Sequence, residues 1–400
     1  MKFTKKFHVS FEIMNINKSK RVLITIFIFL AILTGIFFLY NMHEKMVDFS
    51  VNYEAGKRLR WGETLYRVED EHFMFKYLPF AAVIYLPLSY LDPEAAKGIW
   101  YLLVAACIAG ILYMSKKLLP VVYIKPWLLI SATFLILGRF FFRELFLGQI
   151  NAVITLLLLF MLGLLTSDHE NKSNSRNIWS GMIWGLAVSL KPYAVIFFPY
   201  FLVKKKWTVL ISGAALISVS LFVPALYYGF KGNLIVIQEW VNSLSQSTPG
   251  LFSSQDNASL TAFFVKWTGN QSLSLMLAGL IIAILAGSVL FLIKKGKYLD
   301  HPQVLEGFLL LMLIPLISPL GWDYTFLMAA PGVMLLLNYF YYFSRNGKIL
   351  LIINFFVITF LFYDLLGEKL YALFMSWSII TINFMILAGF LFYLRLKKFA

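Results

Sequence analysis

"VLITIFIFLAILTGIFFLYNMHEKMVDFSVNYEAGKRL", residues 22–59, passes from a purely apolar run into a charged one within a few positions. Its first half, Val22 to Tyr40, carries no charge and approaches the roughly 20 residues that a helix needs to cross a bilayer. A basic N-terminus precedes it (Lys2, Lys5, Lys6, Lys18, Lys20, Arg21), as it would a signal peptide. The run exceeds a typical signal-peptide core, and Tyr40-Asn41-Met42 offers no small-residue cleavage site. It reads as a retained first helix with its N-terminus in the cytoplasm. The second half sets Asp48 at the membrane border, with Phe49, Tyr53, Lys57 and Arg58 close behind. A carboxylate so placed needs a reason.

The rest of the chain repeats the apolar pattern. Of 400 residues, 60% are hydrophobic and 14% charged, with mean hydropathy +0.77. A soluble domain would carry roughly a quarter charged residues. The expectation is an all-α polytopic membrane protein, residues 1–400 forming a single integral membrane domain.

The net charge of +15 does not point to nucleic acid. Its cations fall in short clusters between apolar runs: the N-terminal group, Lys116-Lys117, Lys204 to Lys206, Lys294 with Lys295 and Lys297, and Arg395 with Lys397 and Lys398. That distribution is the positive-inside pattern of cytoplasmic loops. Cys107 stands alone in an apolar run, so neither a disulfide framework nor a cysteine metal site is expected. His8, His43, His72, His169 and His301 lack metal-ligand spacing, and no carboxylate pair demands a metal. No cofactor is expected, although a divalent ion is compatible with the sequence.

Apolar segments run over 22–40, 78–91, 98–115, 127–142, 148–166, 178–190, 192–203, 207–229, 272–293, 303–320, 324–342, 349–366 and 376–394. Were all to cross, Lys116-Lys117 and the Lys204 cluster would lie outside, against charge bias. The segment 78–91, short and punctuated by Pro79 and Pro87, is the best candidate not to cross. About twelve crossings follow, within a range of eleven to thirteen, with both termini cytoplasmic. Lys191-Pro192 breaks another short pair. Two long extracytoplasmic loops are expected. Residues 41–77, with seven acids and six bases, read as amphipathic helices on the outer surface; residues 230–271 are rich in Ser, Asn and Gln.

Ionisable residues at membrane depth are costly, so each is a functional candidate. In this topology four stretches reach the outer face: the Asp48 loop, "RFFFRELFLGQINA" (139–152), "SLKPY" (189–193) and "SPLGWDY" (318–324). A carboxylate can take a proton from an attacking hydroxyl. Arg143, Lys191 and Arg139 have the chemistry to hold a phosphate, and Trp322, Tyr53 and Trp61 offer flat faces to sugar rings. Plainer roles stay open for the same residues. Trp61 and Trp322 would serve as interfacial belt aromatics, Arg143-Glu144 as a structural ion pair, Asp323 as a helix cap and Lys191 as a snorkelling cation.

At these stretches the sequence resembles glycosyltransferase family 87, polyprenol-phosphate-mannose-dependent enzymes of GT-C membrane fold. The resemblance rests on Asp48 to Tyr53, Gly62 to Tyr66, Tyr77-Leu78-Pro79, Gly148-Gln149-Ile150-Asn151, Gly185 through Lys191-Pro192, Asn257-Ala258-Ser259-Leu260 and Ser318-Pro319-Leu320-Gly321-Trp322-Asp323. Each element is short, but their order spans roughly residues 45–330. Two departures stand out. Leu78 replaces the first proline of a Tyr-Pro-Pro motif, and Tyr324 with Thr325 stands where members often carry histidine. No role for that histidine carries over.

The resemblance implies a GT-C-like fold and Asp48 as catalytic base. It also implies a donor site in the outer clusters, taken here as Arg143, Gln149, Asn151, Lys191, Asn257, Trp322, Asp323 and Tyr324, with no metal. The expected reaction is inverting transfer of a hexose, expected to be mannose, from a polyprenyl-phosphate donor to a glycolipid or surface glycan outside the cell membrane. Membrane lipids are the other expected partners. Rivals are a lipid-linked glycan polymerase or ligase, and a flippase or transporter, which should show internal repeats and midplane charges.

Overall fold

The structure, a computed structural model, describes residues 45–166, 173–294 and 302–397. The apolar run 22–40 lies outside them. Sixteen α-helices follow in order: α1 Val47–Trp61, α2 Pro79–Tyr85, α3 Pro93–Lys117, α4 Pro126–Leu147, α5 Asn151–Thr166, α6 Ser173–Leu190, α7 Phe197–Val203 and α8 Trp207–Phe222; then α9 Ala225–Ser247, α10 Leu260–Thr268, α11 Gln271–Lys294, α12 Pro302–Ile317, α13 Ala330–Asn338, α14 Arg345–Phe360, α15 Tyr363–Ser376 and α16 Ile379–Leu396. Short 3-10 turns join several of them. No strand forms among the described residues beyond an isolated antiparallel bridge between Asn257 and Trp322.

This is a helical membrane protein. Three single helices, α3, α11 and α16, are long and apolar enough to cross a bilayer, and three bent pairs could each add a span. Those pairs are α4 with α5, α8 with α9 (extended to Leu251), and α14 with α15, turning by 119°, 92° and 106°. Length and composition give three to six candidate spans among the described residues, a count that leaves out the run 22–40 and does not confirm the twelve expected from counting apolar runs. The separately counted runs 127–142 and 148–166 form the bent pair α4 and α5, the other two bends fall within the single runs 207–229 and 349–366, and further runs, such as Pro192–Val203 and Pro302–Ile317, are shorter apolar helices.

Segment 78–91 forms only the seven-residue α2 and a 3-10 turn. Seven residues rise about 10 Å, a third of the hydrocarbon thickness. The 230–271 stretch is largely helical, in α9 and α10. Leu234, Ile235 and Val241 are exposed on α9, as on a helix lying along a membrane interface.

The core centres on α12, buried along almost its whole length. Phe326 stacks on Phe384 with centroids 4.2 Å apart, and Phe140 packs edge-on to Phe384 at 5.7 Å. At one end Glu306 of α12 receives Lys204 at 2.9 Å and Arg395 of α16 at 2.9 Å. Two cation clusters read from the sequence as cytoplasmic therefore meet at one acid. Close helix approach elsewhere uses small residues: a Cβ on Gly185 of α6 would meet the Gly213 carbonyl of α8 at 2.6 Å.

Candidate active site

The turn between α4 and α5 builds the centre. Gly148 ends α4 in the left-handed region (φ 69°), where its N–H and that of Gln149 return to the last carbonyls of the helix. A side chain there would strike Phe49 Cβ at 2.6 Å and Met46 Cε at 2.8 Å. The missing side chain lets α1 lie directly on the turn. Trp100 Nε1 donates to the Gly148 carbonyl at 2.8 Å, and Phe49, Tyr85 and Trp100 pack beneath as an aromatic cluster. Gln149 is thereby aimed at Asp48, in the first turn of α1.

Gln149 is the hub. Its Nε2 donates to Asp48 Oδ2 at 2.6 Å and to the Tyr324 hydroxyl at 3.1 Å. Its Oε1 accepts from Tyr77 at 3.1 Å and from Lys191 Nζ at 3.2 Å. An ammonium can only donate, so Lys191 fixes which way the amide faces. Burial, then the charges of Asp48 and Glu144, holds the Tyr77 hydroxyl protonated well above its ordinary range. Tyr77 is therefore a second donor to Oε1.

The network continues inward. Lys191 Nζ also donates to Asn151 Oδ1 at 2.8 Å, and Tyr193 donates to the same oxygen at 2.9 Å. Asn151 Nδ2 donates to Glu144 Oε2 at 2.8 Å, while the Ala152 N–H reaches Glu144 Oε1 at 2.8 Å. The Lys191 ammonium lies 4.8 Å from the Tyr77 ring centroid. Lys191 is extended (φ −143°), as a residue before proline prefers, and this breaks the helix and turns the cation inward. It is buried at 8% exposure, so it does not snorkel.

A second cluster adjoins the first through Tyr324. Asp323 Oδ2 receives Arg139 at 2.7 Å and Arg143 at 2.8 Å, and Arg143 also reaches Asp256 at 2.5 Å. Arg143 and Glu144 do not pair as the sequence allowed. Asp323 accepts from the Tyr324 N–H at 2.7 Å, but its main partners are the two arginines, not a helix start. Asn257 is a clamp. Its Oδ1 accepts from Ser259 N at 3.1 Å and Gly321 N at 3.0 Å, and its Nδ2 donates to the Pro319 carbonyl at 3.3 Å. The segment carrying Asp323 is tied to it. Trp322 is half-buried, whereas Trp61 is 68% exposed.

The structure thus joins Asp48, Gln149, Asn151, Lys191 and Tyr324 in one network, with Arg143 and Asp323 alongside. Asn257 and Trp322 hold or flank it. Sequence reasoning missed the parts of Asp256 and Tyr371; the latter's hydroxyl lies 3.4 Å from Arg139 and 3.5 Å from Arg143. Asp256 precedes Asn257, and that adjacency was the available signal. Nothing in the sequence pointed to Tyr371.

A family model described as glycosyltransferase family 87 matches residues 75–319. The chain belongs to glycosyltransferase family 87. No curated protein and no solved structure matches it. This family 87 glycosyltransferase is an enzyme that transfers a sugar from a donor to an acceptor. The matched stretch contains Tyr77, Arg143, Gln149, Asn151, Lys191 and Asn257; Asp48 lies before it and Asp323 and Tyr324 after it. Hydrogen bonds link those flanking residues to the matched part.

Proposed function

We propose that this glycosyltransferase moves a hexose, with mannose as the expected sugar, from a polyprenyl-phosphate donor to a glycolipid or surface-glycan acceptor. It acts on the extracytoplasmic side of the cell membrane, with both termini in the cytoplasm, and it inverts the anomeric centre. Asp48 takes the proton of the acceptor hydroxyl. That oxygen forms the new bond to the anomeric carbon while the bond from this carbon to the phosphate oxygen breaks. The proton ends on Asp48, and the electron pair leaves with the lipid phosphate.

The observation that carries this reading is the Gln149 bond to Asp48 Oδ2 at 2.6 Å, at the edge of a network buried in helices. It holds a half-buried carboxylate in one orientation, as a general base requires. A solvated loop acid would have no such support. Behind it, Lys191 and Glu144 place opposite charges within the same network, which offsets the cost of their burial. Arg143, Asp323 and Tyr324 form the adjoining wall, where the donor is proposed to bind.

The test is transfer by the purified protein. Labelled polyprenyl-phosphate mannose and a membrane-lipid extract from the native host should yield labelled glycolipid with inverted linkage. Movement of the donor between leaflets without bond cleavage would replace this reading with a flippase.

A further inference from the structure

A phosphate leaving group needs a cation that stays available until the substrate arrives. Most cations around the hub are already engaged. Arg139 and Arg143 hold Asp323 and Asp256. Lys191 is bound to Gln149 and Asn151. Lys266 donates to the carbonyls of Gln255, Asn257 and Met375 at 2.9, 2.8 and 3.2 Å. Arg58 is paired with Asp70.

Lys76 differs. Among the described residues no hydrogen-bond acceptor or carboxylate binds its Nζ, although its side chain is half-buried. Its backbone is pinned on both sides. Trp240 Nε1 donates to the Lys76 carbonyl at 3.2 Å, and Tyr66 donates to the Tyr77 carbonyl at 2.6 Å. Phe75 packs into the core, and the Tyr77 hydroxyl is on Gln149. Lys76 therefore emerges from a fixed segment next to Tyr77, which donates to the hub. It is close enough to Asp48 for that charge to act on it, and burial outweighs this effect in lowering its pKa.

We infer that Lys76 is a substrate-binding residue that holds the phosphate of the lipid-linked donor beside Asp48. A lysine suits this as a compact point charge on a flexible stem, able to follow a phosphate whose bond to sugar is breaking. The inference rests on the proposed polyprenyl-phosphate donor.

Lys76→Met and Lys76→Arg are compared with wild type for donor KM, acceptor KM, kcat and inhibition by polyprenyl phosphate. Loss of a charged contact should raise donor KM and weaken that inhibition by about 10- to 100-fold. Acceptor KM should hold, and Lys76→Arg should recover most of the loss. An unchanged donor KM in Lys76→Met overturns the assignment, as does an equal rise in both KM values. A companion measurement needs no variant. Polyprenyl phosphate should protect Lys76 of the wild-type protein from an amine-reactive reagent, read by mass spectrometry. Equal labelling with and without the lipid phosphate overturns the assignment, and equal protection by inorganic phosphate would mean a general anion site. Wild-type failure with every polyprenyl-phosphate sugar tested would instead remove the proposed function.

Discussion

The side-chain amide of Gln149 bridges Asp48 and Lys191, donating to the first at 2.6 Å and accepting from the second at 3.2 Å. Lys191 therefore acts on the carboxylate through an oriented amide rather than by direct contact. The arrangement places a buried cation one amide away from the carboxylate. It also makes Gln149 a positioning residue whose loss should be felt in turnover.

Gln149→Leu keeps approximate volume and removes both ends of the bridge. Its kcat is expected to fall by about 10- to 100-fold, the worth of the lost hydrogen bond to the Asp48 carboxylate. Gln149→Glu should be worse, since it sets a second carboxylate against Asp48. Equal kcat for Gln149→Leu and wild type, measured as label transfer under saturating substrates, would show that the bridge is not used.

Gly148→Ala tests how the turn delivers that amide. The left-handed backbone costs a non-glycine residue about 1–2 kcal/mol, and the added methyl would press on Phe49 and Met46. Thermal unfolding in detergent should show a lower Tm, and the transfer rate should drop by more than the unfolded fraction explains. A variant with wild-type Tm and rate would mean that α1 can lift from the turn without consequence.

The polar stretches at 48, 149–151, 191 and 322–324 were readable because each sets costly groups among apolar neighbours. The partners were not readable. Arg143 and Glu144 are adjacent in sequence, yet successive helical residues point about 100° apart. Arg143 thus turns to Asp256 and Asp323, while Glu144 turns to Asn151. Lys191 looked equally able to snorkel or to meet a phosphate, and only the fold shows Gln149 and Asn151 around it. For the fold, the all-helical membrane class followed from composition. The bends did not, because the chain turns at Gly148, Pro224 and Leu361 and apolar run lengths do not record those turns. Helix α9 was hidden by its Ser, Asn and Gln content.

At the other end of α12, Glu306 pairs with both Lys204 and Arg395, each at 2.9 Å, and Arg395 is only 2% exposed. Glu306→Gln removes a charged partner from that buried arginine and should destabilise the protein by roughly 3–5 kcal/mol. Chemical denaturation in mixed micelles would read this directly. Glu306→Asp, which keeps the charge on a shorter stem, should lose less. A neutral effect of Glu306→Gln would mean that Arg395 is satisfied by the Leu292 carbonyl and its other contacts.

Asp48→Asn is the decisive substitution for the chemistry. It preserves size and a hydrogen-bonding oxygen toward Gln149 but cannot accept the acceptor's proton. Loss of a general base costs about 100- to 10,000-fold in rate. Glu54 is the control on the same helix: it is exposed and paired with Lys57 at 3.0 Å, so Glu54→Gln should retain most activity. Donor binding, followed by competition with a labelled polyprenyl phosphate, should survive in both variants. The rate loss in Asp48→Asn should therefore sit in kcat rather than in donor KM. Near wild-type transfer by Asp48→Asn, or matching losses in Asp48→Asn and Glu54→Gln, would remove Asp48 from the reaction. The carboxylate would then serve only to anchor the start of α1 against the turn that carries Gln149.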